Sequence, residues 1–293
     1  MIQNIEEVYC LCDNFVKYLN SIGIKKHPAG RKSMLCTSEY MLIILIKHSF
    51  SIRTNSSLYF LIKHYGFAKL FSTFPSYQQF NEGIRRSLPY LIGLTTLIIK
   101  SNKNKKALYH LVDSTPIPVC SNGHRYNVKI DKKFASAGKN LNGWFYGFKL
   151  HLIVNHNLDI MGLKITNGST KDFKVLDGDM VKNLIGWIVG DKGYISSETS
   201  SRLAKQGLIL LVKPRKNMKK YPATKWQNFL FAQREKIEGI FGVLKLRFNL
   251  VTNLARSIDG FFTSVFGAIV TFLITRKSVK DLCINSFEKI LIS

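Results

Sequence analysis

Ala107-Leu-Tyr-His-Leu-Val-Asp113 is where the chain changes character. Its first six residues are mostly apolar, of strand length, and end on a carboxylate. Just before it, Lys100-Ser-Asn-Lys-Asn-Lys-Lys106 is polar and charged and reads as a linker. Upstream the periodicity is helical. Downstream, strands and helices alternate.

Following the downstream side, Ser114 to about Gly143 reads as a long loop carrying Arg125, Lys129, Lys132, Lys133 and Lys139. Tyr146, Phe148, Leu150, Leu152 and Val154 then recur with period two, and Met161, Leu163 and Ile165 continue the alternation after Asn155–Asp159. That pattern predicts an antiparallel hairpin. Phe173, Leu176, Met180 and Leu184 predict a helix with Asp172 near its start. Ile185–Val189 is a buried-type strand running into Gly190-Asp-Lys-Gly-Tyr194, and Ser196–Gln206 is a short helix stopped by Gly207. Leu208–Val212 gives a fifth strand, and Lys213–Lys220 a strongly basic loop. The expected architecture is α/β: a mixed five-stranded sheet with flanking helices over 107–293.

One of those helices spans Asn228–Leu250. At about 100° per residue, with Ile237 at zero, Ile240, Phe241, Leu244 and Phe248 fall at roughly 300°, 40°, 340° and 20°. They form one apolar stripe. Arg234, Lys245, Glu238 and Phe231 follow at about 60°, 80°, 100° and 120°, with Glu235 near 160° and facing solvent. Glu238 is thus a carboxylate between cations at the rim of a docking face.

Residues 1–100 form the expected all-helical domain: Ile5 to Leu19, Ser38 to Ile46 capped by Thr37 or Ser38, Ser57 to His64, and Glu82 to Ile99. Its role is DNA binding or dimerisation. Gly260–Thr275 carries no charge but is shorter than the ~18–20 residues of a membrane span, so a buried core helix is expected.

Across 293 residues, 43 Lys and Arg oppose 18 Asp and Glu, a net charge of +25 distributed along the chain. That excess points to a polyanion partner, nucleic acid first. The five scattered cysteines show neither a disulfide framework nor zinc-ligand spacing and fit a reducing cytoplasm. The acidic amino terminus lacks the order of a signal peptide. No nucleotide cradle is present: neither Gly-x-Gly-x-x-Gly after a strand nor Gly-x4-Gly-Lys-Ser/Thr occurs, and Gly-x-Ser-x-Gly is absent.

Asp113 and Asp191 stand at expected strand ends, where α/β sheets place their sites, and Glu238 stands on a helix. Separately, each has a plain structural reading: Asp113 as a turn or cap, Asp191 as a turn residue between glycines, Glu238 as a helical partner of Arg234. Together they form an ordered carboxylate set that would repel itself without divalent metal. Mg²⁺ suits such hard oxygen ligands. Two ions about 3.5–4 Å apart would serve in-line displacement at phosphorus without a covalent nucleophile. Asp172, Asp177 and Asp179 share a predicted helix but not a face.

Four segments carry a resemblance: Asp113-Ser-Thr-Pro-Ile-Pro-Val-Cys120, Phe145-Tyr-Gly-Phe-Lys-Leu-His151, Gly190-Asp-Lys-Gly-Tyr194 and Arg234-x3-Glu238-x6-Lys245. With Phe74-Pro-Ser-Tyr77, they resemble the DDE transposases of bacterial insertion sequences, and the insertion-sequence family numbered nine-eight-two in particular. The resemblance implies an RNase H-like catalytic domain in which Asp113, Asp191 and Glu238 are catalytic and hold Mg²⁺, with Mn²⁺ as a substitute. It implies cleavage at element ends and strand transfer into target DNA by an oligomer working on double-stranded DNA, in a bacterial cytoplasm, at the nucleoid. Arg234, Lys245 and Lys192 would hold phosphates. Arg125, Lys213 and Arg215 in the basic loops would grip the duplex. A related group carries tyrosine where this chain has Phe231. The alternatives are an RNase H-like nuclease without strand transfer and an inactive DNA-binding relative.

Overall fold

The sheet is built outward from its central strand, β1 (Tyr109–Ser121). The computed structural model describes residues 4–23, 33–65, 69, 71, 73–121, 123, 134–140, 143–218, 222–251, 255 and 257–276. By packing, the chain forms two compact units: Met1–Ile98 with Leu244–Ser293, and Ile99–Val243.

In the second unit, β1 pairs antiparallel with β3 (Gly143–Asn155) and parallel with β5 (Gly186–Gly190), and β5 pairs parallel with β6 (Leu208–Val212). The outer edge of β3 is shared end to end. β2 (Ser136–Asn140) pairs with its first half and β4 (Ile160–Asn167) with its second. Five strand positions therefore hold six strands, in the order β2-β3-β1-β5-β6 with β4 beside β2 on β3, a mixed sheet as expected. The added strand, β2, falls in the stretch read as a loop, and Lys139 lies on it.

β1 is also longer than its apolar run. It continues past Asp113 through Pro116 and Pro118, so Asp113 lies within the strand and not at its end. The prolines are tolerated because described pairing with β5 stops at Leu111, which leaves the far half of β1 bonded only to β3. Opposite Pro118 the register slips, and a Cβ on Gly147 would lie 2.5 Å from the Ile117 carbonyl. Only glycine permits that approach.

One face of the sheet is covered by Val175, Leu176, Met180, Val181 and Leu184, which join Val112, Ile153, Ile188 and Leu208 in a common core. The helix predicted across these residues is broken into a 3-10 turn at Asp172–Val175 and a single turn, α6 (Gly178–Val181). Gly178 takes φ +46°, which interrupts the helical path. α7 (Ser197–Lys205) follows as predicted, with Ser196 capping the Thr199 amide and Gly207 at φ +80° beyond its end.

The other unit is helical: α1 (Ile5–Ser21), α2 (Thr37–Ser49), α3 (Asn55–His64), α4 (Tyr77–Arg86), most of α5 (Leu88–Lys103), and α10 (Ile258–Arg276). The single helix expected over Glu82–Ile99 is two helices. They part at Ser87, and Pro89 starts α5 where its missing N–H costs nothing. α5 also extends to Lys103, into the presumed linker. The cap of α2 is Cys36, with Glu39 reaching back to its amide at 2.6 Å.

α10 is long and apolar enough to cross a membrane by composition alone, yet it is mostly buried and packs on α2 and α4. Its apolar surface runs all round, so it needs helices on several sides. It groups with the amino-terminal helices for that reason, whereas an unbroken unit over 107–293 was the expectation from sequence. At Gly267 an added Cβ would stand 2.5 Å from the Ile44 side chain.

Candidate active site

The parallel ladder between β1 and β5 fixes the first relationship. Tyr109 pairs with Trp187, His110 with Ile188 and Leu111 with Val189. Asp113 lies two residues beyond Leu111 within β1, and Asp191 two residues beyond Val189, just past the end of β5. β5 ends at Gly190, and Asp191 caps a 3-10 turn, Lys192–Tyr194, by accepting from the Lys192 amide at 2.7 Å. Asp113 accepts from the Ser114 amide at 2.8 Å.

Both glycines flanking this turn are explained by contact. A Cβ on Gly190 would lie 3.1 Å from Val112 and from the Tyr194 ring, and one on Gly193 would lie 2.9 Å from Asp172 Oδ2. The turn thus sits directly against the sheet and against Asp172.

Glu238 arrives on α9 (Glu235–Leu246), which follows α8 (Lys225–Gln233) with only Arg234 between them. The stripe Ile237, Ile240, Phe241, Leu244 and Phe248 is buried, as the helical wheel requires. Glu235 is exposed. Arg234 projects between two carboxylates: one guanidinium nitrogen is 2.9 Å from Glu238 Oε1 and the other 3.7 Å from Asp113 Oδ2. Burial raises the Asp113 carboxyl to about 6. The Ser114 amide and Arg234 oppose that rise, and the charges of Asp191 and Glu238 add to it. The three carboxylates therefore sense one another at Asp113.

Residues 103–257 match the transposase DDE domain family. The chain belongs to that family. No curated protein matches it. Among solved structures, a chain of a piggyBac transposase synaptic complex with hairpin DNA, seen by cryo-EM, is similar with 9% identity and a TM-score of 0.48. That likeness covers 95% of this chain and 75% of the other.

Transposase DDE domains use divalent metal ions, and the donor set around Asp113 in this transposase suits one. The charges of two exposed carboxylates, Asp191 and Glu238, reach the largely buried Asp113, whose ionised form burial disfavours. As they stand, no three His, Cys, Asp or Glu side chains among the described residues are gathered tightly enough to hold one ion. Glu238 is instead paired with Arg234 at 2.9 Å.

The remaining residues expected at the site divide. Arg215 donates to the Lys192 carbonyl at 3.3 Å and so joins the Asp191 turn, while the Lys192 side chain is exposed. The Lys213 ammonium sits 5.3 Å from the centroid of the Phe231 ring. The aromatic ring at the position of the departed tyrosine thus carries a cation on its face. Lys245 is on α9 but belongs to the helical unit. Arg125 lies outside the described residues, as do Lys129, Lys132, Lys133, Lys219 and Lys220.

Two residues that the sequence reading set aside or gave no role stand beside the site. Asp172 accepts from Ser114 Oγ at 3.2 Å and from Lys149 Nζ at 3.1 Å, next to Asp113 in the chain. His151 lies beside the pair, and burial lowers its pKa to about 4. Lys149 and His151 belong to a motif already singled out, but nothing in the sequence pairs them with Asp172. A groove of about 660 Å³ runs alongside, lined among others by Lys139, Trp144, Lys171 and Arg215.

Proposed function

We propose that this DNA transposase cuts at the ends of an insertion sequence and joins the freed strand to target DNA, with Asp113, Asp191 and Glu238 as its catalytic carboxylates. The observation that supports this reading is the meeting of charges at Asp113, whose carboxyl interacts with Arg234, Asp191 and Glu238, while Arg234 also pairs with Glu238. Asp113, Asp191 and Glu238 would hold Mg²⁺, or Mn²⁺ in its place. When bound, the ions would supply charge neutralisation at the attacking and leaving oxygens.

The chain's own residues do the rest. Asp113 presents a carboxylate whose charge burial disfavours, so a cation beside it would be favoured. Arg234, which lies between Asp113 and Glu238, would offer its guanidinium to a phosphate oxygen. In cleavage, a water oxygen bonds to phosphorus and the P–O3′ bond breaks, leaving a 3′-OH. In joining, that 3′-OH attacks a target phosphorus and displaces the target strand's own 3′-oxygen. No residue forms a covalent intermediate.

Double-stranded DNA, as element ends and as target, is the proposed partner. The groove lined by Lys139, Lys171 and Arg215 provides one basic path for it. Two ends must be held at once, which favours an oligomer assembled on DNA at the nucleoid. The helical unit is proposed to bind DNA or to dimerise. Within the transposases, the motifs favour the insertion-sequence family numbered nine-eight-two.

The test is cleavage and joining of a labelled element end with Mg²⁺, using the sequence that brackets the gene. Cutting and joining by the wild type, both lost in Asp191→Ala, support the proposal. Cutting without joining assigns a nuclease. Wild-type turnover in Asp191→Ala removes the assigned site.

A further inference from the structure

The helical unit contains a second basic site, remote in sequence from the DDE motifs. A cavity of about 650 Å³ opens between α2, α3, α4 and the start of α10. Lys47 of α2 lines it and is only 9% exposed. Its ammonium donates to Asn55 Oδ1 at 2.8 Å, and Asn55 in turn donates to Asn81 Oδ1 at 2.9 Å. Among the described residues, no carboxylate lines the cavity.

A buried ammonium held by one neutral amide is an uncompensated charge. Burial alone pulls the Lys47 pKa down to about 8, with no acidic neighbour raising it. Charges in that position are normally paired. Here the other groups facing the cavity repeat the same preference. Arg53 and Arg85 are cationic and exposed, although Arg85 is shared with Glu82 at 3.2 Å. Asn55 and Ser56 open α3, whose first-turn amides present the positive end of its dipole. Neighbouring His48 is held neutral by burial and lends no charge.

We propose that this cavity is a phosphate-binding site, with Lys47 as its buried cation and Arg53 at its rim. A tetrahedral dianion or a phosphodiester supplies the missing counter-charge and accepts from the ammonium, the guanidinium and the first turn of α3. The phosphate comes either from the backbone of bound DNA or from a free phosphate compound. Only the first source rests on the proposed DNA reading. The site itself does not depend on Asp113, Asp191 or Glu238.

The test has two arms, both on the full chain. In the first, thermal unfolding is followed as inorganic phosphate replaces chloride at constant ionic strength. Wild type is expected to show a saturable rise in Tm. The rise is lost in Lys47→Met and weakened in Arg53→Ala, an exposed change that leaves the fold intact. Lys47→Met is also expected to raise Tm in chloride alone, because a structural lysine would do the opposite.

In the second arm, duplex binding is measured against salt. A DNA phosphate in the cavity makes the slope of log K on log[salt] shallower by about 0.9 in Lys47→Met. A lost phosphate response with an unchanged slope assigns the site to a free phosphate compound. The proposal is overturned if phosphate acts no differently from chloride and the slope is the same in wild type and both variants.

Discussion

Asp113 and Asp191, 78 residues apart in the chain, stand two residues beyond Leu111 and Val189, the last described pair of the β1–β5 ladder, and their charges interact. That offset is the one shared by each of the three described pairs of the ladder, Tyr109 with Trp187 onward. The ladder brings β1 and β5 to the edge of the site, and the turn after Gly190 then positions Asp191. Changes that disturb that turn should therefore act on the site directly.

Gly193 gives the sharpest such change. A methyl there would stand 2.9 Å from Asp172 Oδ2, and Asp172 is held in place by Lys149 and Ser114. Gly193→Ala is expected to cost about 1–3 kcal/mol of stability by overpacking and to lower cleavage with it. Gly239→Ala, next to Glu238 with nothing within 4 Å of its new methyl, should instead stabilise by about 0.5–1 kcal/mol. Urea midpoints of the two variants check both signs.

Asp113 should weaken the fold it serves. Its folded-state pKa, about 6, lies above the ordinary 3.8, so the native state binds the proton more tightly than the unfolded chain. Stability then falls as pH rises from about 4 to about 6 and stays reduced above that. The shift corresponds to about 3 kcal/mol against the ionised form. Asp113→Asn is expected to raise Tm at pH 8 and to bring no gain below pH 4. Mg²⁺ should raise Tm of the wild type at pH 8 and do so less in the variant. Tm measured across this range checks all three statements.

The Lys149–Asp172 pair is expected to behave in the opposite way. Its side chains are 16% and 24% exposed, 3.1 Å apart, and next to the buried His151. Lys149→Met strands the Asp172 carboxylate with Ser114 as its remaining donor, at an expected cost of about 1–3 kcal/mol. Asp172→Asn in the Lys149→Met background should recover part of that loss. A double-mutant cycle by urea unfolding measures the coupling.

Much of this was legible in the sequence, for identifiable reasons. The alternation from Tyr146 to Val154 and the apolar runs at 185–189 and 208–212 specify strands whatever surrounds them, and the wheel around Ile237 picked out the buried stripe and set Glu238 beside Arg234. What the sequence hid was set by tertiary partners. Pro116 and Pro118 read as the end of β1, yet β5 stops short of them and leaves no ladder bond on that side for them to break. Phe173 to Leu184 has helical spacing, but those side chains fill the sheet's face from a path bent at Gly178. Asp172 meets Ser114 and Lys149 from 58 and 23 residues away, a contact that no local pattern records.

The central claim is that Asp113, Asp191 and Glu238 act as one unit. It is tested most directly by single-turnover cleavage of a labelled element end with Mg²⁺, comparing Asp113→Asn, Asp191→Asn and the double variant. Residues that act together are strongly non-additive. Each single variant is expected to lose roughly 10³-fold or more, and the double variant to lose no more than either. Wild-type cleavage by Asp191→Asn, or losses that simply multiply in the double variant, would contradict the account.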